Sequence, residues 1–137
     1  MIVDTSVLYS LFDENDPAHD RAVEAVGSAP HPRALVVSPL VVAELDYLVA
    51  RRCGVSVELA VLRELASGAW ELPTLSDVDM QSAAGLIEKY RDLNIGVTDA
   101  SLVVLADRYR TTTVATLDRR HFEAMRSLDG RPFDILP

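Results

Sequence analysis

Apolar positions in this chain fall into short runs, punctuated by proline, glycine and hydroxyl residues. Met1-Ile2-Val3 is apolar and stops abruptly at Asp4-Thr5-Ser6, which predicts a first strand with Asp4 at its C-terminal end. Asp16-Pro17 reads as a cap and first-turn proline, and Ala18, Ala22, Val23 and Val26 follow a helical period to about Gly27. After a loop at Pro30-His31-Pro32, residues 34–37 predict a buried strand. Ser38-Pro39 then opens a helix running to about Cys53, with Gly54 just past its end. Ser56 is the expected cap of the next helix, which ends at Gly68. Residues 70–72 predict a short edge strand, and Trp70 reads as core or interface.

Farther on, Ser76 and Asp79 have the spacing of a capping box for a helix to about Tyr90. Asn94-Ile95-Gly96 is a turn, after which Thr98 is the expected cap of a helix from Asp99 to about Arg110. Residues 113–117 are a β-branched strand ending at Asp118, 119–126 a short helix, and 133–136 a last strand. Strands alternating with helices predict an α/β fold with a central, mostly parallel twisted sheet flanked by helices. At 137 residues the chain is expected to form a single domain over 1–137, since no linker, repeat or low-complexity segment interrupts it.

Composition narrows the class. Hydrophobic residues make up 49%, which excludes a disordered chain. Cys53 is the only cysteine, so no internal disulfide forms and a reducing compartment is implied. Asp4 sits where a signal peptide needs basic and then apolar residues, and the longest apolar region is cut by Ser38, Pro39 and Glu44. The expectation is a cytoplasmic protein with no membrane partner.

Four acids stand where an acid needs a reason. Asp4 and Asp118 follow strands, Asp99 begins a helix, and Glu44 shares a helical stripe with Leu40, Val41, Leu45 and Leu48. Asp4, Asp99 and Asp118 can each be a plain helix cap or first-turn acid. Glu44 has less excuse, because a carboxylate in an apolar stripe costs several kcal/mol (about 3–5 kcal/mol) unless paired or metal-bound. The alternatives are a buried arginine partner, or a core face that lies elsewhere on a helix with little polar surface. A parallel sheet gathers strand ends at one edge, where ligands bind. Four carboxylates gathered there repel unless a cation compensates them, and an all-oxygen set suits Mg²⁺ or Mn²⁺. His19, His31 and His121 show no zinc spacing. Such a site suits metal-assisted hydrolysis of a phosphodiester.

Four segments together resemble the PIN domain, in particular the VapC-type toxins of bacterial toxin–antitoxin pairs: Ile2-Val3-Asp4-Thr5-Ser6, Pro39-Leu40-Val41-Val42-Ala43-Glu44-Leu45, Gly96-Val97-Thr98-Asp99-Ala100 and Thr116-Leu117-Asp118-Arg119-Arg120-His121-Phe122. The likeness covers essentially the whole chain in order and spacing. It implies a PIN-like three-layer fold and a Mg²⁺- or Mn²⁺-dependent endoribonuclease. Asp4, Glu44, Asp99 and Asp118 fall on the family's metal-binding, catalytic acids. Thr5 or Ser6 falls on its supporting hydroxyl. Many relatives carry a further Asp before the final Phe; here that place holds His121. The resemblance also implies a homodimer, a VapB-type antitoxin whose tail blocks the acidic pocket, and cleavage products with 5′-phosphate and 3′-hydroxyl ends. Its substrates would be structured RNAs, either specific tRNAs or the sarcin–ricin loop of large-subunit rRNA, and segment 36–49 looks closer to rRNA-cutting members.

The net charge of −8 argues by itself against a nucleic-acid partner, but the charge is unevenly placed. Residues 1–50 hold eight acids and two bases, whereas 108–131 hold six arginines and three acids. Arg108, Arg119 and Arg120 are the candidates for backbone phosphate contacts, against the plainer reading of a solvated face. Other acid-at-strand-end folds fit poorly. A receiver domain needs a lysine at a late strand end, and the only one, Lys89, lies in a predicted helix. A haloacid-dehalogenase-type phosphatase needs an acid where Ser6 stands, and no Gly-rich phosphate loop is present. A PIN-like interaction module without activity would lack one of the four acids.

Overall fold

The computed structural model describes residues 1–31 and 34–137, so the predicted loop at Pro30-His31-Pro32 lies partly outside the described residues. Its organising element is β1 (Ile2–Val3), whose two side chains are wholly buried. β2 (Val36–Val37), β3 (Thr113–Ala115) and β4 (Asp134–Leu136) join it in the order β2-β1-β3-β4. Every pairing is parallel, with Val3 opposite Val37 on one side and Ala115 on the other. Parallel neighbours need crossover connections, and helices supply them. These are α1 (Thr5–Phe12), α2 (His19–Gly27), α3 (Pro39–Arg52), α4 (Val55–Leu65), α5 (Asp77–Lys89), α6 (Val97–Arg108) and α7 (Arg119–Ala124). The result is the expected mixed α/β fold with a parallel sheet flanked by helices.

The deepest helix is α6. Residues 100–106 are all buried, all apolar but Ser101, and the helix packs against α5, α3 and β1. Phe122 meets Phe133 edge-on, with ring centroids 5.6 Å apart, which fastens α7 near β4. Trp70 is buried, as expected; it sits 6.4 Å from Phe12, and its indole N–H donates to Glu64 at 3.1 Å. No described helix is long and apolar enough to cross a membrane.

Two predicted side-chain caps hold to the residue. Ser38 caps α3 by accepting from Leu40 N at 3.3 Å, and Ser76 with Asp79 forms the capping box of α5. Others shift for identifiable reasons. Asp16-Pro17 does not open α2, which starts at His19; Asp16 instead closes a turn, accepting from Ala18 N through its carboxylate and from His19 N through its carbonyl. Ser56 does not cap α4. Gly54, at φ 85°, both ends α3 and starts α4, a conformation that glycine adopts without strain. Thr98 does not cap α6 either: the cap is Gly96, and Asp99 reaches back to accept from Gly96 N at 3.1 Å. The predicted edge strand at 70–72 shrinks to a parallel bridge between Glu71 and Val36. α1 follows Asp4 at once, so Asp4 caps a helix in addition to whatever else it does: Oδ1 accepts from Thr5 N at 2.8 Å.

Candidate functional site

The carboxyl edge of the sheet opens into a cavity of about 570 Å³, and Asp4, Glu44, Asp99 and Asp118 all line it. Asp4 arrives from the end of β1, Glu44 from the middle of α3, Asp99 from the first turn of α6, and Asp118 from just past β3 and before α7. Thr5 and Ser6 line the same cavity, as do His121 and Arg52.

Asp4 is the fixed point. It is 9% exposed, and three neutral donors hold its carboxylate: Thr5 N on Oδ1, and the hydroxyls of Ser6 (2.8 Å) and Thr116 (2.7 Å) on Oδ2. The Ser6 hydroxyl also accepts from Leu117 N, and the Thr116 hydroxyl accepts from Asp118 N, so these two side chains tie the end of β1 to the segment after β3. The Thr5 hydroxyl donates to Glu44 Oε2 at 3.0 Å. Both hydroxyls singled out in the sequence therefore support acids, each a different one.

Glu44 corrects the helical-stripe expectation. The buried stripe of α3 is Val41, Leu45 and Val49, while Glu44 is exposed to the cavity. At about 100° per residue, Glu44 stands a quarter turn off that stripe. Its carboxylate thus avoids the burial cost that had singled it out, although it still faces the other acids.

Asp99 and Asp118 each meet a nitrogen-bearing side chain. Asp99 Oδ2 lies 3.1 Å from His121 Nδ1. Burial pushes the Asp99 carboxyl above the ordinary carboxylate range; the Gly96 N–H and His121 pull the other way, and the Asp4 charge adds to the rise. Asp118 is held below that range chiefly by Arg120, which donates to both of its oxygens at 3.0 and 2.8 Å.

Of the three arginines proposed for phosphate contacts, none lines the cavity. Arg108 is at the far end of α6, where it pairs with Asp79 and donates to the Thr74 carbonyl. Arg119 pairs with Glu123 and donates to the Pro137 carbonyl. Arg120 is engaged by Asp118. Arg119 and Arg120 pair locally and Arg108 pairs across helices, which charge counting cannot see. The side chains that sequence reasoning passed over are Thr116, Tyr9 and Arg52. Thr116 had a signal in its place, a hydroxyl two residues before Asp118 at the end of a β-branched strand; Tyr9 and Arg52 had none.

The donor set fits a hard divalent cation. Every acid at the cavity offers oxygen, and Asp4 and Glu44 are satisfied only by neutral donors, leaving negative charge uncompensated. Among the described residues no three acids or imidazoles are gathered tightly enough to hold an ion as they stand. Asp99 and Asp118 reach the same cavity wall as Asp4 and Glu44 while bonded to His121 and Arg120.

The family model of the PIN domain matches residues 1–128. The chain belongs to the PIN-domain family. Within it, the chain is 56% identical over 137 residues to Ribonuclease VapC26 of Mycobacterium tuberculosis (strain ATCC 25618 / H37Rv), the match covering all of both chains, which places it with the VapC-type members. Two solved structures share the fold at lower identity. VapC20 of Mycobacterium tuberculosis, a sarcin–ricin loop cleaving toxin, superposes with a TM-score of 0.79 at 20% identity, over 86% of this chain and 89% of that one. A toxin–antitoxin complex from Klebsiella pneumoniae gives 0.72 at 15% identity, over 99% and 95%. The expected family and its PIN-like fold are thus both met.

Proposed function

We infer that this VapC-type protein is a Mg²⁺- or Mn²⁺-dependent endoribonuclease acting in the cytoplasm as the toxin of a VapBC pair, with residues 1–137 working as one domain. The observation that carries it is the convergence of Asp4, Glu44, Asp99 and Asp118 on one cavity at the carboxyl edge of the sheet. Full-length identity of 56% to a protein named as a ribonuclease supports the activity. The fold shared with toxins solved beside their antitoxins supports a VapB-type partner, and a homodimer follows from the family. A structured RNA is the substrate; between tRNA and the sarcin–ricin loop, segment 36–49 favours the loop.

Asp4, Glu44, Asp99 and Asp118 would hold the cation, directly or through water. When bound, it stabilises charge on a phosphoryl group and acidifies water. The chain's own part is orientation. Thr5 N, Ser6 and Thr116 fix both oxygens of Asp4, so this acid needs no reorganisation when charge arrives. Thr5 anchors Glu44 to the same strand end. His121 and Arg120 orient Asp99 and Asp118 on the cavity wall. An inactive interaction module is the less favoured reading, because all four acids are present and share one wall.

Brief expression followed by mapping of RNA 5′ ends tests this function. New ends clustered at one site in a structured RNA and bearing 5′-phosphates are expected, and the purified protein should make the same cut with Mn²⁺ but not in excess EDTA. No new ends, or cleavage that continues in excess EDTA, would overturn it.

A further inference from the structure

The cavity wall poses a charge problem that the acids alone do not solve. Asp16 joins the four acids there, and a polyanionic RNA must approach all five. Arg108, Arg119 and Arg120, outside the cavity, are engaged by Asp79, Glu123 and Asp118. Arg52, in the last turn of α3, lines the cavity instead, and among the described residues no acid is paired with it. Its guanidinium carbon lies 5.4 Å from the centroid of the Tyr9 ring, a cation–π arrangement. The Tyr9 hydroxyl in turn donates to Asp13 Oδ2 at 3.3 Å, so the platform under Arg52 is itself held.

We propose that Arg52, seated on Tyr9, is the residue that binds a backbone phosphate of the RNA beside the scissile bond, on the α1–α3 side of the acidic cavity. The proposal rests on the ribonuclease reading above. With Tyr9 as its neighbour the guanidinium still has N–H groups to offer a phosphate, and arginine suits that contact better than lysine. The stack also removes part of the rotamer freedom that binding would otherwise have to freeze. A cation at this place offsets local repulsion between acids and RNA without competing for the acids, which Arg120 and His121 do. It assigns to α3 the phosphate contact that the arginine count had assigned to 108–120.

The experiment is a comparison of wild type, Arg52→Ala, Arg52→Lys and Tyr9→Leu. Cleavage of one RNA with Mn²⁺ gives kcat and KM, and the dependence of RNA affinity on salt is read in an Asp4→Asn background that does not turn over. Circular dichroism and melting check folding; Arg52 is exposed, so Ala is expected to fold. Arg52→Ala should raise KM about tenfold with the loss falling on KM rather than kcat. It should also flatten the plot of log affinity against log salt by about 0.7, the value of one phosphate contact on a single strand. Arg52→Lys should keep the salt slope and recover part of the affinity, and Tyr9→Leu should weaken binding with the slope kept. A folded Arg52→Ala protein with unchanged KM and unchanged salt slope would overturn the proposal while leaving the ribonuclease standing. A wild type that cleaves no RNA would overturn the ribonuclease reading, and this proposal with it.

Discussion

Replacing Thr116 by Val removes one hydroxyl at nearly constant volume, at a residue that is completely buried. That hydroxyl donates to Asp4 Oδ2 at 2.7 Å and accepts from Asp118 N at 3.1 Å. A hydrogen bond to a charged group is worth about 1.5–3 kcal/mol and a neutral one about 1 kcal/mol. Some of this returns, because Ser6 still donates to the same Asp4 oxygen and Asp118 N lies close enough to solvent to find water. A net loss of about 2 kcal/mol follows, equivalent to a fall of about 6 °C in Tm for a chain of this size. The assay is urea unfolding of wild type, Thr116→Val, Asp4→Asn and the double variant, read as a double-mutant cycle. Because the Asp4 charge is what makes the bond strong, Thr116→Val should cost about 1 kcal/mol less in the Asp4→Asn background. A Thr116→Val protein as stable as wild type, or a cycle with no coupling, would refute the claim that Thr116 holds Asp4.

Two further predictions concern pH. Burial, with the Asp4 charge adding to it, raises the Asp99 carboxyl, so the folded state opposes its ionisation. Asp99→Asn should therefore melt higher than wild type at pH 7, and the gap should close as pH falls toward the ordinary carboxylate range, near 4; a variant that melts lower than wild type at pH 7 would contradict this. Asp79 has the opposite sign: the Arg108 bond and the Ser76 donors bring its carboxyl down to about 2, so its contribution is fully present above about pH 4 and is lost as pH falls through about 2. Stability curves for wild type and Asp79→Asn should accordingly lie apart above pH 4 and converge near pH 2, and parallel curves would refute it.

What was legible in the chain was whatever local chemistry determines. Ser38-Pro39 and Ser76-x-x-Asp79 start helices through bonds that span two or three residues, so their starts were visible. The run Met1-Ile2-Val3 before Asp4 marked the central strand for a similar reason, since a short apolar run stopped by an acid has few other uses. Asp16-Pro17 carried the same signal as Ser38-Pro39, and Asp16 makes the same bond to the N–H two residues on, yet it closes a turn and α2 starts only at His19. Glu44 was placed on the correct helix and the wrong side of it: a helix reading Leu40-Val41-Val42-Ala43 offers two apolar faces, and only the packing of α3 against α1, α4 and α6 decides which is buried. The arginines were the least legible. Arg120 and Arg119 are taken by residues two and four positions away, and Arg108 by Asp79 on another helix, whereas Arg52 is brought to the cavity by the length of α3 and by Tyr9 from α1. Long side chains choose partners after the helices have docked, and composition carries no record of that choice.

The central claim is that the acidic cavity is the centre of a metal-dependent ribonuclease. Wild type and Asp4→Asn, purified identically, separate it most directly when incubated with RNA and Mn²⁺. Cleavage by wild type with loss of at least a hundredfold in Asp4→Asn, with circular dichroism showing both proteins folded, is the expected result. Equal cleavage by the two proteins would contradict the account, because the acid held by three donors at the heart of the cavity would then have no part in the chemistry.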